Sequence, residues 1–172
     1  MSGLELRDHS ASDLGAILAL NAANVPEVGP LDDERLASLA REAAWLPVAV
    51  DGSAHVGFAI FLTEGARYDS PNYRWFAERH ERFLYVDRIA IAEGARGVGL
   101  GRAIYGQAVE LARRDGRSVL CAEVNTIPPN PKSMRFHERF GFREVARMRP
   151  YDANAEVAML ELDVPPITGR RS

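Results

Sequence analysis

Only one of the 172 residues is cysteine, Cys121, so no disulfide can form within the chain and no zinc cluster can be built from thiolates. The four histidines, His9, His55, His80 and His137, are scattered without metal-ligand spacing, and no bound metal is expected. Long apolar runs are missing too. Nothing near the N-terminus has the length of a signal-peptide core, and no stretch is long enough to cross a bilayer as a helix. A cytoplasmic location is the expectation. Neither sign of charge dominates: 21 Lys and Arg stand against 24 Asp and Glu, for a net charge of −3. Neither nucleic acid nor an anionic membrane is therefore expected as a partner. There is no internal repeat and no low-complexity tract, and residues 165–172 read as a disordered tail.

What is present is ordinary for a folded domain. With 47% hydrophobic and 26% charged residues, residues 1–164 suit one domain around one core. Leu4 to Arg7 alternates like a short strand. Ser10 or Ser12 then caps a helix with Leu14, Ile17, Leu18 and Ala22 on its apolar face, and Asp32 opens a second helix carrying Leu36, Leu39 and Ala40. Leu46 to Val50 and His55 to Thr63 flank Asp51-Gly52 as a hairpin. Further on come a strand ending near Ile91, a helix from Leu100 to Gly116, a strand from Ser118 to Asn125 and a helix opened by Asn130-Pro131. Phe142 to Arg149 and Glu156 to Asp163 make a closing antiparallel pair. Such interleaving predicts an α/β (α+β) domain with a mixed, mostly antiparallel sheet flanked by helices.

The most informative segment joins an apolar strand to a helix through Arg96-Gly97-Val98-Gly99-Leu100-Gly101. A glycine turn that opens a helix offers unpaired N–H groups at the positive end of the helix dipole, which suits a phosphate or diphosphate. Arg96 and Arg102 add full charges. A P-loop is excluded, because Arg102-Ala103 follows Gly101 where Lys and Ser or Thr are required. A dinucleotide fingerprint needs a third glycine where Ile104 or Arg102 stands. The remaining pattern, Arg-x-x-Gly-x-Gly after a strand, resembles the acyl-CoA loop of the GNAT acyltransferase superfamily. Asn130-Pro131-Lys132-Ser133-Met134-Arg135-Phe136-His137-Glu138-Arg139-Phe140-Gly141-Phe142 is similar to the same superfamily's later motif, in the right order. The likeness extends from Leu4 to Val164.

That resemblance implies acetyl transfer from acetyl-CoA to a primary amine by direct attack, without a metal. It implies that Arg96 to Arg102 hold the diphosphate, that the backbone of Ile89, Ala90 and Ile91 meets the thioester carbonyl and pantetheine, and that Asn130 and Ser133 contact the pantetheine arm. Glu123 resembles the strand-end glutamate of ribosomal-protein alanine acetyltransferases and is the first candidate for general base; Asp87 is the second. His137 stands where most members carry a tyrosine that protonates the leaving thiolate, and it also touches the cofactor site. Each has a plainer alternative: a solvated or paired charge at Glu123, a pair with Arg88 at Asp87, a packed helix residue at His137. Cys121 reads as a buried strand residue and not as a nucleophile.

The acceptor side of this fold nominates Asn21, Glu27, Tyr68, Ser70, Asn72 and Trp75, with Tyr151 and Asp152 as weaker choices. Amides, hydroxyls and carboxylates together suit a small polar amine such as an amino acid; a protein N-terminus or lysine is the alternative acceptor. Glu64 to Arg82 is a longer connection than the family pattern, with Ser70-Pro71 able to cap a short lid helix. Its aromatics need burial, either as a wall of the acceptor pocket or in a homodimer contact. Two readings of another class remain: a non-catalytic acyl-CoA-binding module, and a structural dimerisation unit.

Overall fold

Continuous apolar runs bounded by turn residues place most of the strands where the sequence puts them. The structure is a computed structural model that describes residues 3–167. The elements are β1 (Leu4–Asp8), α1 (Leu14–Ala23), α2 (Asp33–Glu42), β2 (Pro47–Asp51), β3 (Ala54–Thr63), α3 (Pro71–Ala77), β4 (Leu84–Ile91), α4 (Leu100–Arg114), β5 (Val119–Ile127), α5 (Pro131–Phe140), β6 (Arg143–Met148) and β7 (Glu156–Asp163). The strands form a seven-stranded sheet in the order β1-β2-β3-β4-β5-β7-β6. Among the described residues β4 pairs with β5 in parallel, while β1 with β2, β2 with β3, β5 with β7 and β6 with β7 pair antiparallel, so the sheet is mixed and mostly antiparallel as expected. The tail expected to be disordered lies, from residue 168 on, outside the described residues.

Two compact units share the chain, and β4 and α4 each begin in one and end in the other. The first comprises residues up to Tyr68 together with Val86–Tyr105. Its antiparallel strands β1, β2 and β3 are joined at the hairpin by Gly52 at φ +61°, and Ile17, Leu36, Leu39, Val48, Phe58 and Ile60 supply buried apolar side chains. The inward face of α1 is Ile17, Leu20 and Asn21, rotated from the expected stripe, because Leu20 and Asn21 turn inward where Ala22 is exposed. Asp32 caps α2 by accepting a 2.7 Å bond from Arg35 N.

The second unit comprises Asp69–Tyr85 and the chain from Gly106 onward. Here β5 pairs with β7 and β7 with β6, both antiparallel, and Val164 N donates to Ser118 O at 2.8 Å to close the unit's end. β5 runs two residues past the expected Asn125, to Ile127, across an irregularity in its pairing with β7. Ser70 accepts from Tyr73 N and Pro71 occupies the first turn of α3, so the expected lid helix forms. Tyr73 packs 5.5 Å from both Phe83 and Tyr85, and Phe76 5.9 Å from Tyr85. Tyr73 and Phe76 are thereby buried inside the unit, which removes the need for a subunit interface to cover them.

One buried ionic cluster organises the first unit. Asp13, 2% exposed, accepts two bonds from the Arg7 guanidinium at 2.8 and 2.9 Å, one from Ser10 N at 2.7 Å, and lies 2.7 Å from His55 Nε2. A single carboxylate thus ties β1, the start of α1 and β3. The Arg7 hydrogen bonds, helped by His55 and Ser10 and opposed by burial, hold its carboxyl well below the usual carboxylate range. A depressed folded pKa means the stabilisation is complete above the unfolded value near 3.9 and fades as pH falls below it. Asp13→Ala should cost about 2–3 kcal/mol at neutral pH. Denaturant titrations from pH 7 to pH 2 should show a shallower acid loss in the variant than in the parent.

Candidate active site

The site is built upward from the turn between β4 and α4. Gly97 and Gly99 sit at φ +80° and +87°, backbone that a side-chain-bearing residue adopts only at a cost. Residues 97 to 99 are exposed, with Val98 at 54%. Leu100 is buried; its Cδ2 would lie 3.1 Å from a Cβ placed on Gly57 of β3, so Gly57 makes room for the side chain that seats the helix. Ala103 N donates to Gly99 O at 2.9 Å as the helix opens, and the amides just before it belong to the first turn, which the helical ladder does not use. Arg96 donates to Ile91 O at 3.2 Å and to Asn24 Oδ1 at 2.8 Å. Both partners are neutral, so the turn is braced while the guanidinium keeps its charge. Arg102 is exposed on the same helix start. A cavity of ≈ 640 Å³ opens beside Arg96, lined by Leu20, Asn24, Glu27, His55 and Glu93 among others. These residues fit a diphosphate: exposed amides, a helix N-terminus and fixed positive charge.

Also in the first unit, Asp87 is tied on both oxygens. Tyr68 donates its hydroxyl to Oδ1, and Arg88 Nε donates to Oδ2 at 2.7 Å. Arg88 also donates to Asn21 Oδ1 and Gly29 O, each at 3.0 Å, while Asn21 Nδ2 donates to Gly29 O at 3.0 Å. Burial works against the Arg88 charge, but Asp87 outweighs it and the pKa is raised. Burial first, then Asp87, pushes the Tyr68 hydroxyl up as well, so it stays a proton donor. The Arg35 guanidinium lies 4.7 Å from the Tyr68 ring centroid. Asn21, Tyr68 and Asp87 are therefore brought together, with Arg88, expected from the sequence only as a partner for Asp87, at the hub.

In the second unit, Glu123 Oε1 accepts from Tyr85 Oη at 2.8 Å and from Asn72 Nδ2 at 3.2 Å. Asn72 is 7% exposed, and its Oδ1 is buried with no hydrogen-bond partner among the described residues. A buried carbonyl oxygen without a donor is costly and marks a place where a donor is wanted. Tyr85 was read only as part of an apolar strand. The available signal was its hydroxyl, since a buried tyrosine O–H needs a partner.

α5 carries the later motif. Asn130 caps it by accepting from Ser133 N at 3.2 Å, and Gly141 ends it at φ +117°. His137 is 4% exposed and its ring stands edge-on to Phe142 at 5.1 Å. Nδ1 donates to Ser133 O at 2.8 Å. Burial lowers its pKa from the ordinary value near 6.5, and the Ser133 carbonyl only partly offsets that. The ring is thus neutral near pH 7 with its one proton committed to the helix backbone, an arrangement that matches the packed-residue alternative better than a proton donor.

The remaining nominees divide by role. Ser70 caps α3, Trp75 is half-buried with the Arg79 guanidinium 3.5 Å from its ring centroid, and Glu27 is exposed on the cavity rim. Tyr151 and Asp152 are exposed, with Asp152 Oδ1 accepting from Asn154 N. Ile89, Ala90 and Ile91 lie on β4 as expected, and the Ile91 carbonyl is the one Arg96 holds.

Comparison with known proteins agrees with this architecture. A model of the acetyltransferase (GNAT) family matches residues 16–142. The L-methionine sulfoximine/L-methionine sulfone acetyltransferase of Pseudomonas aeruginosa is 26% identical over 147 residues, covering 83% of this chain and 82% of its own. An acetyltransferase of Agrobacterium fabrum is 30% identical over 79 residues, 46% of this chain and 55% of that protein. The solved ribosomal-protein-S18-alanine N-acetyltransferase of Escherichia coli superposes with a TM-score of 0.73 at 18% identity, covering 98% of both chains, a likeness of fold. That family match defines an acetyl-CoA-dependent N-acetyltransferase. The chain belongs to the acetyltransferase (GNAT) family. Among the described residues no helix is long and apolar enough to cross a membrane.

Gly99→Ala puts a Cβ on backbone at φ +87° with open space around it, so the cost falls on the turn and not on packing. About 1–2 kcal/mol of strain should weaken CoA binding about tenfold in calorimetry, with little change in secondary structure by circular dichroism.

Proposed function

We propose that the protein acetylates the primary amine of a small polar molecule, an amino acid or close analogue, with Glu123 as the general base. The single observation that carries this reading is the Glu123 carboxylate held by Tyr85 and Asn72, beside a buried Asn72 oxygen that lacks a donor. An ammonium brings several N–H donors and must lose a proton before it attacks. A free α-amine near pKa 7.7–8.0 costs only about 1–1.4 kcal/mol to deprotonate at pH 7, against about 4.6 for a lysine side chain near 10.4. One carboxylate suffices for the former. The Pseudomonas relative, named for two amino-acid analogues, supports the same acceptor class.

Acetyl-CoA, when bound, supplies the acetyl group as a thioester. The chain holds it through the amides of Gly97 to Gly101 and the charges of Arg96 and Arg102, with the backbone of Ile89 to Ile91 and the α5 residues Asn130 and Ser133 assigned to its carbonyl and arm. Glu123 takes the amine proton. Asp87 carries a second role: paired with Arg88 and Tyr68, it fixes the side chains around it. His137 secures α5. A leaving thiol near pKa 8.5 departs readily enough at neutral pH for a protein acid to be a help and not a requirement.

Release of free thiol from acetyl-CoA should be followed over a panel of free amino acids, methionine sulfone and sulfoximine, an alanine-terminated peptide, and Nα-blocked lysine. Free amino acids or their analogues should turn over and blocked lysine should not. Glu123→Gln, which retains an oxygen to accept from Tyr85, should lower kcat by roughly 10²-fold or more, with KM for acetyl-CoA changed less than about threefold. Turnover confined to the peptide, or an unimpaired Glu123→Gln enzyme, overturns the reading.

A further inference from the structure

Three residues far apart in sequence meet in the second unit. Cys121 on β5 and Glu161 on β7 are direct partners in the antiparallel register, so their side chains stand on one face of the sheet. His80 follows α3 and brings Nε2 to 2.7 Å from Glu161 Oε1. One thiol, one imidazole nitrogen and one carboxylate oxygen from these residues all lie within 4.8 Å of one another. Cys121 is fully buried and Glu161 8% exposed, while the His80 side chain, 26% exposed, leaves a way in. Arg143 approaches the other carboxylate oxygen, Oε2, at 3.4 Å, leaving Oε1 facing His80.

We infer that His80, Cys121 and Glu161 form a binding site for one zinc ion. Sulfur, nitrogen and oxygen donors in a set of three are what zinc accepts, with a water molecule in the fourth position. A tetrahedral ion with legs of 2.0–2.3 Å needs its ligand atoms about 3.3–3.6 Å apart. The His80–Glu161 contact at 2.7 Å would open by roughly half an ångström, and no pair of the three ligand atoms is more than 4.8 Å apart. His80, on the segment that follows α3 and the most exposed of the three, is the side chain with room to adjust. Burial, reinforced by the charges of Glu161 and Glu123, raises the Cys121 thiol well above its ordinary pKa, so it rests protonated and gives up its proton to solvent as the metal binds. The ion would clip the segment after α3 to β5 and β7, stabilising the unit without entering the reaction. The spacing of residues 80, 121 and 161 explains why the sequence shows no metal motif.

The test uses the full chain freed of metal by a chelator. Zinc chloride titrated in a calorimeter should bind one ion per chain with Kd of about 1 μM or tighter, and should raise the Tm. Cobalt chloride should give the near-ultraviolet thiolate-to-metal band that reports a cysteine ligand. Cys121→Ser should abolish the band, and His80→Gln, which can still donate to Glu161, should weaken zinc binding at least about tenfold. No saturable zinc binding to the parent chain overturns the inference, as does binding that His80→Gln leaves unchanged, or cobalt binding without the thiolate band. Should Cys121→Ser fail to fold, the parent cobalt spectrum and His80→Gln decide it. Because no step reads acetyl transfer, the outcome is independent of the assignment of Glu123.

Discussion

Backbone held at positive φ at Gly97 and Gly99 is the constraint on which the functional architecture rests. A chain leaving a β-strand and entering a helix must reverse its hydrogen-bonding partners within a few residues, and the first-turn amides of the helix are left without ladder partners. Here residues 97 to 99, just before the helix, form an exposed turn. Two supports hold the turn in place: Leu100 seated against Gly57, and Arg96 bound to the Ile91 carbonyl and to Asn24. Arg96 therefore does two things. It fastens the strand end, and because its partners carry no charge it leaves a cation at an anion site. Preorganisation of this kind lowers the cost of ordering the loop around a ligand.

The two carboxylates show how surroundings separate residues that look alike. Asp87 accepts from a buried arginine and a tyrosine, both oxygens engaged, and the cluster extends through Arg88 to Asn21 and Gly29. Glu123 takes hydrogen bonds from two neutral donors on one oxygen. One carboxylate is part of a charged network, whereas the hydrogen bonds to the other come from neutral groups.

Much of this was legible before any coordinate. The glycine turn is local: strand, Arg96, alternate glycines and helix fall within a few residues, and local signals survive folding. The same holds for Ser70-Pro71 opening α3 and Asn130-Pro131 opening α5, where cap chemistry acts over three residues. Contacts that cross the chain were not legible. The pair of Arg88 with Asp87 was legible from their adjacency, but the reach of Arg88 to Asn21 and Gly29 was not, because it depends on where α1 ends. Tyr85 sat in an apolar run, and nothing local announced that its hydroxyl would meet Glu123 on another strand. His137 illustrates both. Its place in the motif was legible, whereas the bond that Nδ1 donates to the Ser133 carbonyl was not.

The central claim is that the amides of the glycine turn grip a diphosphate. Backbone NMR of the free chain, titrated in parallel with CoA and with pantetheine, which lacks the diphosphate, tests it directly. CoA should move the amide resonances of residues 97–101 most strongly, and pantetheine should leave them nearly in place. Saturable CoA binding that leaves those resonances unmoved, or equal shifts with pantetheine, would contradict the account.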